Sequence, residues 1–167
     1  NALESGALTL YPAEFDAVFL AKDILEEYQD RAAEKGITLH LEAPQDREVL
    51  LYADFTKTHE VLENIVSNAV KYSPHGKNVT VRIHDDLSTS FVKIEVQDEG
   101  PGISDEDMKR LFGKFVRLSA QPTGGEHSTG LGLSIVKKMV EAMQGRVWCE
   151  SEAGKGATFI VELPRVL

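Results

Sequence analysis

The spacing of hydrophobic positions changes several times along the chain, and each change marks an element. Residues 11–16, YPAEFD, form a short extended piece ending in a helix cap at Asp16. From 17 to 35 the apolar positions Val18, Leu20, Ile24, Leu25 and Tyr28 trace the inner face of a helix, which Gly36 stops. ITLHLEA (37–43) alternates as a strand. PQDRE is a turn and VLLYAD (49–54) a second strand. Residues 55–72 are strongly periodic at helical spacing and close on Ser73-Pro74-His75-Gly76. VTVRIHDD (79–86) and FVKIEVQD (91–98) pair around a polar turn. SDEDMKRLFGKF (104–115) opens like a helix with a Ser-x-x-Asp cap. Residues 129–145 form another amphipathic helix ending at Gly145, and RVWCESE (146–152) with ATFIVELP (157–164) make a last hairpin around AGKG. Strands joined by antiparallel links, with helices between pairs, predict an α+β two-layer sandwich: helices on one face of a mixed, mostly antiparallel sheet.

Length and composition narrow the function classes. At 167 residues the chain is expected to be one domain with a sizeable core. A formal net charge of −9 argues against a nucleic-acid partner or direct membrane contact, since both need clustered Lys and Arg. An anionic ligand must therefore be held by local groups or a metal. The single cysteine, Cys149, forms no intramolecular disulfide and points to a reducing, cytoplasmic setting. Nothing in these 167 residues reads as a signal peptide, and no apolar run approaches 18 residues. The chain begins NALESGALTL, without Met, and is expected to be cut from something longer.

Three stretches carry chemistry. On the helix 55–72, Val61, Leu62, Ile65, Val66, Ala69 and Val70 fill one arc of the wheel. Asn64, Asn68 and Lys71 fall beside it at i, i+4 and i+7 as a single polar line. A solvated face would account for any one of them. Amide oxygens are also neutral, hard ligands suited to Mg²⁺, and a lysine suits phosphate as a point charge. In the second stretch, IEVQDEGPGI (94–103), a strand stops on Asp98 and is followed by Gly100 and Gly102 around a proline. An Asx-capped turn would read the same way. In the third, Thr129-Gly130-Leu131-Gly132 precedes a helix whose free N–H groups and positive dipole end form a ready phosphate site. No GxxxxGK[ST] occurs, so this is not a P-loop.

Together these motifs resemble the catalytic, ATP-binding domain of two-component sensor histidine kinases, and more broadly the Bergerat ATPase fold those kinases share with type II topoisomerases and Hsp90 chaperones. NIVSNAVKY (64–72) resembles the N-box, DEGPGI (98–103) the G1 box, LFGKFVR (111–117) the F-box, TGLGL (129–133) the G2 box and GKGATF (154–159) the G3 element. LESGALTL resembles the segment leaving a histidine kinase's dimerisation domain. Residues 1–10 are thus expected to be a linker remnant and 11–167 the catalytic domain. At Ser128 many members carry a further glycine.

The resemblance implies ATP and Mg²⁺ as cofactors, with Asn68 and Asn64 toward the metal. It implies Asn64, Lys71 and Arg117 as catalytic residues, with Lys114 a weaker candidate beside Arg117. Around the nucleotide it implies Tyr72 stacking on adenine, Asp98 on its edge, Gly100, Gly102, Ile103, Phe115 and the 129–132 run, and Thr158 adding a hydroxyl near Asp98. The choice of an aspartate has a physical rationale: adenine presents an amine donor where guanine presents a carbonyl acceptor. A buried carboxylate accepts from the first and repels the second. Gly100 and Gly102 are expected to clear Cβ atoms from the path of the flat base. The polar loop VRLSAQPTGGEHS (116–128), with Pro122, Gly124 and Gly125, reads as a lid.

The expected partners are a dimerisation domain bearing the acceptor histidine and a response-regulator receiver domain. None of His40, His59, His75, His84 or His127 has an acceptor's neighbourhood, and all five read as ordinary. The alternative is an ATP hydrolase, clamp or serine kinase of the same fold. Hydrolase relatives carry a glutamate general base where this chain has Asn64, and an amide cannot take a proton from water.

Overall fold

The computed structural model describes residues 8–113 and 132–166. Two aspartates set the entry to the helical layer. β1 (Pro12–Asp16) runs directly into α1 (Ala17–Glu34), and β3 (Leu50–Asp54) runs directly into α2 (Phe55–Tyr72). Asp16 Oδ1 accepts from Val18 N at 3.0 Å, capping α1, and from Val49 N at 3.1 Å. Asp54 repeats the device: Oδ1 accepts from Lys57 N at 3.0 Å and Oδ2 from Tyr11 N at 2.9 Å. Each carboxylate satisfies an orphan donor of its helix and ties it to the neighbouring strand. α1 closes with Gly36 at φ +64°, where Ile37 N donates to Ala32 O and Gly36 N to Ala33 O, a Schellman ending.

The main sheet has the order β2-β4-β5-β7-β6, from β2 (Thr38–Glu42), β4 (Asn78–His84), β5 (Phe91–Gln97), β6 (Arg146–Ser151) and β7 (Ala157–Pro164). Only β2–β4 is parallel. The consecutive strands β2 and β3 are not partners. β3 instead pairs antiparallel with β1 as a separate two-stranded sheet, Pro12 opposite Asp54 and Asp16 opposite Leu50. The two capping aspartates thereby lie at opposite ends of one short ladder.

Val79, Val81, Ile83, Val92, Ile94, Val96, Phe159, Val161 and Leu163 point to one face of the sheet and join the helices' apolar faces in one core. On α2 the buried positions are Thr58, Val61, Leu62, Ile65, Val66, Ala69 and Val70, the arc read from the sequence. Among the described residues of 104–115, Asp105–Met108 form α3; Ser104 Oγ accepts from Asp107 N as expected of the cap. The chain then continues in i→i+3 turns through Gly113. α4 is described over Gly132–Ala142. At its end the left-handed residue is Gln144, φ 64°, and not Gly145. Gly145 is needed for another reason: a Cβ there would lie 2.2 Å from Glu162 O.

Candidate functional site

β5 and β7 bring Asp98 to the edge of the helical layer. The ladder ends with Asp98 N donating to Ala157 O at 2.9 Å. Asp98 Oδ1 then accepts from Ala157 N at 3.1 Å and from Gly100 N at 2.9 Å. Among the described residues nothing hydrogen-bonds Oδ2. The residue is 8% exposed, and that burial raises its pKa above the usual carboxylate value; the two backbone donors oppose the shift without cancelling it. The result is a fixed carboxylate with one oxygen held by the backbone and the other available to a ligand.

That carboxylate borders an open cavity. α2 contributes Asn68, Ala69 and Tyr72; the loop after β5 contributes Pro101, Gly102 and Ile103; α4 contributes Leu133; β7 contributes Ala157 and Phe159. The walls are mostly apolar with a few convergent polar groups, as in pockets that take a flat aromatic ligand. Phe112 braces the far wall, meeting Phe159 edge-on at 6.5 Å.

The loop 98–103 is locked onto the β6–β7 turn. Gly154 N donates to Pro101 O, Ile103 N to Ser151 Oγ at 2.8 Å, and Ser151 Oγ to Gly156 O at 2.9 Å. The glycines make this approach possible. A Cβ on Gly102, at φ +75°, would lie 2.2 Å from Glu152 O, and one on Gly156, at φ +85°, 2.3 Å from Asp98 O. A Cβ on Gly100 would press on Tyr72 O at 3.0 Å and Asp98 Oδ1 at 3.2 Å. The expectation that Gly100 and Gly102 clear space for a base is therefore corrected. Their missing side chains first let the protein's own backbone pack.

On α2, Asn68 lines the cavity and Asn64 stands one turn earlier. Asn64 Nδ2 donates to Glu60 O at 2.9 Å, which leaves Oδ1 as acceptor. Oδ1 lies 3.1 Å from where a Cβ on Gly132 would be, so the polar line meets the N-terminal end of α4. Lys71 is not brought to this cavity. It borders a separate depression with Tyr28, Arg31, Lys35 and His75, and its carbonyl accepts from Lys35 Nζ at 3.0 Å. Three residues beyond Asn68, it is turned about 60° round the helix toward α1.

Thr158 is also misplaced by the sequence reading. It stands opposite Gln97 in the β5–β7 register, on the sheet face away from the helices. Ala157, one residue earlier, is the residue that lines the cavity. Side chains alternate along a strand, so a shift of one position changes the face. Ile103, Tyr72 and Gly102 line the cavity. Phe115, Arg117, Thr129, Gly130 and Leu131, with Lys114, His127 and Ser128, fall outside the described residues. Ala69, Pro101, Leu133, Ala157 and Phe159 were not anticipated as lining residues. Strand alternation from Asp98 signals the last two; nothing local signals Ala69 or Leu133, which read simply as core. None of the described histidines lines the cavity.

Comparison with known proteins agrees with this geometry. The profile of the histidine kinase-, DNA gyrase B- and HSP90-like ATPases matches residues 53–167. The sensor histidine kinase WalK of Bacillus subtilis is 42% identical over 119 residues, covering 71% of this chain and 20% of WalK. The adaptive-response sensory kinase SasA of Rippkaea orientalis is 35% identical over 157 residues, 94% of this chain and 39% of SasA. The chain thus spans well under half the length of these relatives. Among solved structures, full-length ShkA in complex with AMPPNP superposes with a TM-score of 0.84 at 31% identity, over 98% of this chain and 33% of ShkA. The catalytic domain of histidine kinase ThkA gives 0.80 at 26% identity, over 93% of this chain and 97% of that domain.

Proposed function

The chain belongs to the histidine kinase-, DNA gyrase B- and HSP90-like ATPase family, and from that premise we propose that it is the ATP-binding catalytic domain of a sensor histidine kinase. It presents the γ-phosphoryl group of ATP to a histidine on a separate dimerisation domain, for transfer on to the receiver domain of a response regulator. The observation that carries the reading is Asp98: a buried carboxylate whose Oδ1 is held by Gly100 N and Ala157 N and whose Oδ2 is left to the cavity.

In this reading Oδ2 accepts from the exocyclic amine of adenine, and Tyr72, Ile103 and Phe159 enclose the ring. ShkA, a relative at 31% identity, has been seen with the ATP analogue AMPPNP. The phosphates run toward the N-terminal end of α4, where Gly132 and the 129–131 run offer backbone N–H groups. Arg117 and Phe115 complete the site from the neighbouring stretch. The oxygens of Asn68 and Asn64 suit Mg²⁺, because Asn64 spends its Nδ2 on Glu60 O and keeps Oδ1 for a ligand. Bound there, the ion would offset phosphate charge. Lys71 is left out of this set, because it borders the α1 side. Catalysis is then positioning and charge neutralisation.

A hydrolase of the same fold is not favoured. The carboxylates nearest Asn64 on α2 are Glu60, which is exposed, and Glu63, which is engaged with Tyr28 and His59. Neither lines the cavity. An imidazole nucleophile needs less help, since its neutral ring already carries a lone pair.

Residues 1–10 serve in this reading as the link to the dimerisation domain, with the catalytic domain on the cytoplasmic side. Among the described residues no helix is long and apolar enough to cross a membrane. The test uses radiolabelled ATP with this chain alone, and then mixed with a dimerisation domain from the same parent. The chain alone is expected to bind ATP with little hydrolysis and no label. The mixture should place acid-labile label on the dimerisation domain, slowly, because the tether that sets effective concentration is gone. Brisk phosphate release without label would move the chain to the hydrolase class.

A further inference from the structure

Outside the cavity lining, on the solvent side of the seam between α1 and α2, four potential ligands converge. α1 supplies Asp23 and Glu27 and α2 supplies His59 and Glu63, each pair at i and i+4 and so on one face of its helix. His59 Nε2 lies 3.5 Å from Asp23 Oδ2 and 3.8 Å from Glu27 Oε2, and His59 Nδ1 lies 3.4 Å from Glu63 Oε2. Ligand atoms of Glu27, His59 and Glu63 all fall within 4.8 Å of one another.

We propose that Glu27, His59 and Glu63 form a divalent-cation site of the zinc type on the α1–α2 seam, with Asp23 at its rim. Spacing is the first argument. The imidazole–carboxylate contacts of 3.5, 3.8 and 3.4 Å are longer than the roughly 2.7–3.2 Å of an N–H···O bond. They are near the spacing of donors that share an ion: two atoms each about 2.1 Å from a tetrahedral centre stand about 3.4 Å apart.

Anchoring is the second argument. Glu63 is held in place: Tyr28 Oη donates to its Oε1 at 3.2 Å.

Charge is the third argument. Among the described residues no Lys or Arg forms an ion pair with Asp23, Glu27 or Glu63; the contact they share is with the His59 imidazole. The site is also open to solvent. The His59 side chain is 23% exposed and those of Asp23 and Glu27 54% and 51%, so an ion can enter and complete its shell with water. Mixed imidazole and carboxylate donors suit Zn²⁺ and not Mg²⁺, which prefers an all-oxygen shell.

The experiment is a zinc titration of the nucleotide-free chain, freed of metal, against a chromophoric zinc chelator. One equivalent of Zn²⁺ should bind with micromolar affinity, and millimolar Mg²⁺ should not displace it. His59→Gln should lower the affinity at least a hundredfold. Glu27→Gln and Glu63→Gln should each lower it at least about tenfold, and Asp23→Asn should lower it less. His84→Gln, on β4 where the imidazole faces Glu95, should change nothing. Circular dichroism of each metal-free variant checks that these exposed substitutions leave the fold intact. Failure of the folded chain to take up zinc, or uptake that survives His59→Gln, would overturn the assignment and leave the cluster as a plain imidazolium–carboxylate contact.

Discussion

Replacing Asp98 with asparagine tests the nucleotide reading at one atom. The side chain keeps its shape, and Oδ1 can still accept from Gly100 N and Ala157 N. The change falls on the second position, where an acceptor oxygen becomes an N–H₂ donor aimed into the cavity. Against adenine's amine this loses a charge-assisted hydrogen bond, worth roughly 1.5–3 kcal/mol, or from about tenfold to over a hundredfold in ATP affinity. Against guanine's carbonyl the new donor is an improvement, so the preference for ATP over GTP should vanish or reverse. The fold should not suffer. Burial raises the Asp98 pKa in the folded chain, so its stabilising effect is complete only below the unfolded pKa. That effect is lost as pH rises through the folded pKa, which makes the ionised group a cost at neutral pH. The nucleotide-free Asp98→Asn chain should therefore melt at or above the parent's temperature at pH 7. Calorimetric titration with both nucleotides, with thermal melts beside it, reads all three effects. An unchanged ATP affinity would remove Asp98 from the site, and a sharp fall in melting temperature would show that it serves the fold instead.

Asn68→Ala should weaken nucleotide binding much more in Mg²⁺ than in its absence, and Asn64→Ala less so; equal magnesium dependence in parent and variants would reduce the polar line to a solvated face. Gly102→Ala should cost the roughly 1–2 kcal/mol of a left-handed backbone plus the clash with Glu152 O, whereas Gly154→Ala, also at positive φ but with open space around it, should cost the backbone part alone. Urea unfolding of the pair measures the difference, and equal losses would refute the interlocked-loop account. Asp85 accepts from Arg165 and from Arg47, at 3.1 Å for the latter; burial pushes its pKa up, but the two guanidinium groups outweigh that and leave it lowered. Its contribution is present above the unfolded carboxylate pKa and lost as pH falls through the lower folded value, so Asp85→Asn should flatten the acid limb of a melting-temperature profile between pH 6 and 2.5.

Much of this protein is written locally. Asp16, Asp54 and Ser104 each sit just before a helix and each caps it, because a short polar side chain reaches the free N–H groups of its own chain. The buried arc of α2 follows from a 3.6-residue period, and Asp98 followed by two glycines announces a carboxylate at a strand end. Such features depend on neighbours within a turn or two, and the order of residues determines them. What the tertiary structure decided depends on contacts between distant segments. β3 could have paired with β2, its predecessor, but closes antiparallel on β1, the other strand that runs directly into a helix. Thr158 and Ala157 exchange roles because the register with β5 sets which side of β7 meets Asp98. Gly100 and Gly102 look like space for a ligand until Tyr72 and the β6–β7 turn are seen to occupy it. Lys71 turns to α1 while its neighbour Tyr72 turns to the cavity. His59 reads as ordinary until α1 packs beside α2 and sets two carboxylates against its Nε2. A linear sequence specifies which groups exist and their local spacing; only packing specifies which of them share a few ångströms of space.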